Sequence, residues 1–202
     1  MKTVSSKINS RPIGVFDSGL GGLTVLKELE QYLPNESFIY FGDTARVPYG
    51  NKSSDNVINY SQRIIQFLIN KNIKLAVVAC NTSSALALSH LNNLFDMPIF
   101  GVIGPSVKFA EKISKFSQIG VIGTNATIKS KAYSKAFKKM GSNKKITEYA
   151  CPLFVPLIEE GMLRGQIVKK IILHYLKEIP LNKIDTLILG CTHYPLISTE
   201  LQ

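Results

Sequence analysis

The chain has no CxxC pair, no Walker-A lysine, no GxGxxG spacing and no apolar run long enough to cross a membrane. Each absence removes a class of function. Without CxxC, the three cysteines at 80, 151 and 191 fit neither a disulfide framework nor a thioredoxin-type redox pair. Without the lysine or the glycine spacing, Gly19-Leu20-Gly21-Gly22 is a weak match to an NTP or dinucleotide loop. The N-terminus carries Lys2, Lys7 and Arg11 but no apolar signal core, and a span would need about 20 apolar residues, so no membrane association is expected. Free thiols then point to a reducing cytoplasm. Acidic residues are also scarce, 14 against 24 Lys+Arg, for a net charge of +10. The basic residues are scattered, and clusters such as Lys138-Lys139 and Lys169-Lys170 are not interleaved with aromatics. A nucleic-acid partner is therefore not expected, although the excess helps draw in an anionic substrate.

What is present is an alternation of short apolar runs with amphipathic stretches. The length of 202 residues allows one large domain or two small ones. After a polar lead-in over residues 1–11, strands are expected at Ile13–Phe16, Ser37–Phe41, Leu75–Ala79, Pro98–Val102, Gln118–Ile122, Ile146–Tyr149 and over the run ending at Cys191. Leu23, Leu26, Leu29 and Leu33 mark one helical stripe. Ser53 or Ser54 caps a helix to about Asn70, another begins near Ser106, a third ends at Met140 and a fourth covers about Gly165 to Lys177. Gly42 to Gly50 is too rich in Gly and Pro for anything but a loop. Strands alternating with helices imply an α/β fold with mainly parallel sheets. Two similar lobes are expected, residues 1–102 and 103–202, with Gly101 to Pro105 as the crossover.

Two stretches organise this pattern. Leu75 to Ala79 reads as a strand buried on both faces that hands over at Cys80 to Asn81-Thr82-Ser83-Ser84, which are N-cap residues. Leu187-Ile188-Leu189-Gly190 hands over in the same way to Cys191-Thr192-His193. Ligands in open α/β sheets bind beyond the carboxyl ends of strands, and a helix start there favours a carboxylate or a thiolate. Singly, each cysteine also suits a buried filler role; the matched pair reads as one site seen from two sides. Asp17 ends the first strand beside the Gly-rich turn, whose backbone N–H groups suit a small anion, although Asp17 alone also fits a cap. Cys80, Cys191 and His193, with Cys151 as a fourth, lack the paired spacing of a zinc site, so no metal is expected. Cys151 reads as structural.

Two thiols on opposite faces of a ligand suit one reaction in particular. Inverting a stereocentre without a cofactor needs a base on one face and an acid on the other. Thiols, with an ordinary pKa of about 8.5, can be tuned towards neutrality for both tasks. Asp17 is the candidate proton partner for Cys80, and His193 and Glu159 are candidates for Cys191.

Gly14 to Gly22, Asp43 to Gly50, Ala79-Cys80-Asn81-Thr82, Phe154 to Glu159 and Gly190 to Pro195 together resemble the bacterial glutamate racemases of the aspartate/glutamate racemase superfamily. The resemblance implies interconversion of L- and D-glutamate, supplying D-glutamate for peptidoglycan, with no cofactor and a homodimer as the common assembly. It implies Cys80 as acid/base for the D-isomer and Cys191 for the L-isomer. Asp17, Ser18, Tyr49, Gly50, Asn81, Thr82, Thr124, Thr192 and His193 would contact substrate, and Asp17, Glu159 and His193 would support the thiols. It also implies a further C-terminal stretch beyond the position of Gln202 that packs on the first lobe, so apolar surface there is expected to be exposed. Turnover of aspartate or another amino acid, or binding of a ligand or a partner without turnover, stays open at this point.

Overall fold

A computed structural model describes residues 10–202; the expected polar lead-in lies, apart from Ser10 and Arg11, outside them. The chain opens with β1 (Ile13–Asp17), α1 (Leu23–Tyr32), β2 (Phe38–Gly42), α2 (Ser54–Asn70) and β3 (Leu75–Val78). It continues through α3 (Asn81–Leu86), α4 (Leu88–Leu94), β4 (Ile99–Gly101) and α5 (Ile103–Ile113). Then come β5 (Gln118–Gly123), α6 (Asn125–Ser130), α7 (Ala132–Lys139), β6 (Lys145–Ala150) and α8 (Phe154–Glu159). The last elements are α9 (Gln166–Leu176), β7 (Leu187–Gly190) and α10 (Ser198–Leu201).

The strands form two parallel sheets, β2-β1-β3-β4 and β6-β5-β7. Both are wound alike. The chain leaves a central strand (β1 or β5), pairs on one side (β2 or β6), then returns to the other (β3 or β7). Each sheet therefore has a switch point, between β1 and β3 and between β5 and β7, and ligand crevices form at such points. Asp17 and Cys80 end the strands at the first, while Gly123-Thr124 and Cys191 do so at the second. By the same correspondence Cys151, after β6, takes the place of Asp43, after β2.

Where local expectation fails, a physical reason is visible. β3 is not buried on both faces: Ala76 and Val78 are buried, but Leu75 and Val77 are only partly so. They face a groove of about 990 Å³ that α1 covers incompletely. Leu26 and Leu29 of the helical stripe pack towards Ile13 and Val15, whereas Leu23 and Leu33 stay exposed. Tyr32 (79% exposed) and Phe109 (65%) line the same groove. Helix α5 starts at Ile103, taking up most of the expected crossover, because Pro105 sits in the first turn, where its missing N–H is not needed. The helix expected to end at Met140 is broken at Lys131, whose backbone is left-handed (φ 57°). Ser53 caps α2 by accepting the Asn56 N–H.

Candidate active site

The two switch points face each other across one small cavity. Ser18, Tyr49, Gly50, Cys80, Asn81 and Thr82 line it from the first sheet's loops; Thr124, Cys191, Thr192 and His193 line it from the second's. Pro48 and Val155 complete the wall. Asp17 and Glu159, also expected at the site, sit just behind it and reach it through Thr192 and His193. The space left is about 10 Å³, room for about one water molecule, so the lobes are closed on each other.

Cys80 itself is the N-cap of α3. Its backbone is extended (φ −63°, ψ 121°), and its Sγ accepts the Ser83 N–H at 3.5 Å. The Asn81–Ser84 run expected to hold the cap is instead the first turn. The Cys80 thiol donates to Ser18 Oγ at 3.6 Å. Opposite, Cys191 Sγ lies 3.7 Å from His193 Nδ1, and Glu159 pairs with His193 Nε2. A carboxylate, an imidazole and a thiol thus stand in a row. Behind the cavity, Asp17 accepts the Gly19 N–H at 3.0 Å and the Thr192 hydroxyl at 3.2 Å, the latter from the other lobe. It makes no direct bond to Cys80.

Burial dominates the electrostatics. Both site thiols are pushed up, not down towards neutrality: desolvation is the largest cause, and the nearby Asp17 charge adds to it. N–H groups at each turn, Ser83 for Cys80 and His193 and Tyr194 for Cys191, oppose this without reversing it. Burial also raises Asp17 against the lowering effects of His193 and its own hydrogen-bond donors. Cys151 is buried away from the cavity, with its thiol raised to about 12 by burial alone. Among the described residues no His, Cys, Asp and Glu group is arranged to hold a metal ion, and no helix is long and apolar enough to cross a membrane.

Two residues of the site, Tyr133 and Thr127, carried no signal in the sequence, and contacts made by the expected ones could not be read there either. The Tyr133 hydroxyl, on α7, donates to Asn81 Oδ1 at 2.6 Å, fixing that amide so its NH₂ is the end left for a ligand. Thr82, Thr124 and Thr127 form a triangle of hydroxyls 3.0–3.2 Å apart that joins the lobes. The Tyr49 hydroxyl donates to buried Asp43 at 2.5 Å, and Asp43 also takes both 3.0 Å bonds from Arg46. In the Gly-rich turn the Gly19 N–H meets a carboxylate, that of Asp17. None of Gly19, Gly21 and Gly22 has positive φ, and they give room to side chains. A Cβ on Gly21 would lie 2.6 Å from His193 Nδ1, and one on Gly22 would lie 2.3 Å from Asp17 Cβ. Gly22→Ala is therefore expected to cost about 1–3 kcal/mol through overpacking and to displace Asp17. Gly104→Ala meets nothing within 4 Å and should be neutral or stabilising by up to about 1 kcal/mol. Paired thermal melts check both.

Residues 13–202 match the Asp/Glu/Hydantoin racemase family model. The glutamate racemase of Aquifex aeolicus is 55% identical over 94% of this chain and 74% of its own length. Among solved structures, glutamate racemase from Francisella tularensis in complex with D-glutamate superposes with a TM-score of 0.89 at 42% identity, over 95% of this chain and 72% of that one. The Aquifex pyrophilus glutamate racemase gives 0.81 at 53% identity, over 94% and 74%. On the strength of that family match and these identities, the chain belongs to the Asp/Glu/Hydantoin racemase family and, within it, to the glutamate racemases.

Proposed function

We propose that the chain interconverts L- and D-glutamate by proton transfer between Cys80 and Cys191, without a cofactor. The observation that carries this reading is the pair of buried strand-end thiols, one from each switch point, lining one cavity. One thiolate removes the α-hydrogen as a proton and leaves a carbanion; the opposite thiol donates its proton to the other face. Charge and atoms balance, and the enzyme is left with the thiolate on the other side.

Both thiols are held neutral by burial and by Asp17, so the substrate itself shifts the balance. Its ammonium group, placed against Asp17, offsets the carboxylate that disfavours a thiolate at Cys80. On the other side, His193 Nδ1 faces Cys191 and Glu159 stabilises the imidazolium that forms when the thiol is deprotonated. Asp17, Ser18, Tyr49, Gly50, Asn81, Thr82, Thr124, Thr192 and His193 are the groups that hold glutamate. Cys80 serves the D-isomer and Cys191 the L-isomer. The product D-glutamate would feed peptidoglycan synthesis, in the cytoplasm, and the working form would be a homodimer of two-lobed chains divided at 102/103.

D-Glutamate followed in D₂O by NMR and optical rotation provides the test. Loss of the α-proton with loss of optical activity is expected. Binding without exchange would overturn the catalytic reading, and faster turnover of aspartate than of glutamate would overturn the substrate.

A further inference from the structure

A second, larger cavity adjoins the catalytic one. It has a volume of about 640 Å³ and is lined by Gly50 to Ser54, Leu86, Asn125, Ala126, Lys129 and Ser130. Gly50 belongs to both cavities, and Asn125 follows Thr124 of the catalytic wall. No carboxylate lines it, while Lys52 and Lys129 do, one from each lobe. Neither lysine has an ion-pair partner among the described residues. Asp55, in the first turn of α2, is not part of the lining. Hydroxyls and amides from Ser53, Ser54, Ser130, Asn51 and Asn125 complete a surface suited to a carboxylate.

The partition between the cavities is thin. A Cβ on Gly50 would lie 2.4 Å from Thr124 Cβ and 2.7 Å from its Cγ2, so bare backbone closes against that threonine. Beside it the Asn125 side chain donates to Asn51 Oδ1 at 3.4 Å, at the exposed rim. A catalytic cavity of about 10 Å³ admits an amino acid only when the lobes separate, and Gly50–Thr124 is where they meet beside a basic chamber.

Resting on the racemase reading above, we propose that this chamber is an antechamber: a second anion site where Lys52 and Lys129 bind a carboxylate of incoming glutamate before it passes Gly50 and Thr124. Two cations flanking a concave entrance raise the local concentration of an anion and its rate of entry, and salt screens the effect.

The test uses the full chain with Lys52→Gln and Lys129→Gln combined, residues outside the catalytic wall. At low ionic strength kcat/KM for D-glutamate should fall about five- to tenfold with kcat unchanged. At about 0.5 M salt the difference should vanish, because screening then acts within a few ångströms. Glutarate, which carries the carboxylates without an α-amino group, gives a readout independent of turnover. In the unsubstituted chain it should shift the amide NMR signals of Lys52, Ser53 and Lys129, and in the double variant it should not. Unaltered kcat/KM at every salt concentration, or no glutarate shift at those amides, overturns the antechamber. Absence of turnover together with a glutarate shift lost in the double variant would count against the racemase reading and leave the anion site standing.

Discussion

Cys80→Ser and Cys191→Ser are each expected to lower glutamate racemisation by roughly a thousandfold, the size of a lost general acid or base. A serine hydroxyl fills the same space but ionises far less readily than a thiol, so the variant keeps the cavity and loses one proton carrier. Inversion needs both faces served; exchange on one face needs only one. In Cys191→Ser, residual deuterium uptake should therefore be confined to the D-isomer, without inversion, and in Cys80→Ser to the L-isomer. The pH dependence follows from the same burial. Both thiols are pushed up, the proposed reaction starts from a thiolate, and the thiolate fraction grows about tenfold per pH unit below the thiol pKa. For the unsubstituted chain kcat/KM should rise from mildly acidic to mildly alkaline pH, and a falling or flat profile would contradict a thiolate base. Retained racemisation in either serine variant would end the two-thiol mechanism.

The features legible in the sequence share a short range. Cys80 and Cys191 stand out because an apolar run, a cysteine and cap-forming residues follow each other within one strand-to-helix handover. Asp17 is legible in the same way, at the end of a strand beside a Gly-rich turn, whereas Tyr49 and Thr124 are placed at the site only by the family resemblance. What escapes is set by pairs distant in the chain. Tyr133 meets Asn81 across 52 residues, and Thr192 meets Asp17 across 175. Neither pairing leaves a mark on local composition. Lys52 and Lys129 likewise read as solvated charges until the fold places them on one cavity. Gly21 and Gly22 show a different failure: glycine signals freedom of φ or lack of bulk, and only the neighbours, His193 and Asp17, reveal that bulk is the issue. The break at Lys131 is hidden for a similar reason, since a lysine with left-handed backbone is not announced by its residue type.

Phe154→Ala is expected to cost about 3–5 kcal/mol, as a large buried ring replaced by a methyl group. Phe154 is fully buried and meets Tyr194 and Tyr175 edge to face, with centroids 5.1 and 5.2 Å away. It opens α8, which ends at Glu159, and Tyr194 directly follows His193. One ring thus braces both segments whose ends bring Glu159 to His193. At roughly 2–4 °C per kcal/mol for a chain of this size, the melting temperature should fall by about 6–20 °C. A shift of about one ångström at His193 would also lower kcat about a hundredfold at temperatures where the fold persists. Tyr194→Phe separates the two effects. It keeps the ring contact and removes only the hydroxyl bond to the Cys151 carbonyl at 2.9 Å, with an expected cost of about 1–3 kcal/mol for the unpaired buried acceptor. If Phe154→Ala lowers the melting temperature but leaves kcat intact, the ring stabilises the second lobe without positioning the Glu159–His193–Cys191 row. The row would then be held by backbone geometry at the β7 switch point alone. Loss of kcat beyond that of Tyr194→Phe, measured on folded protein, is what the bracing predicts.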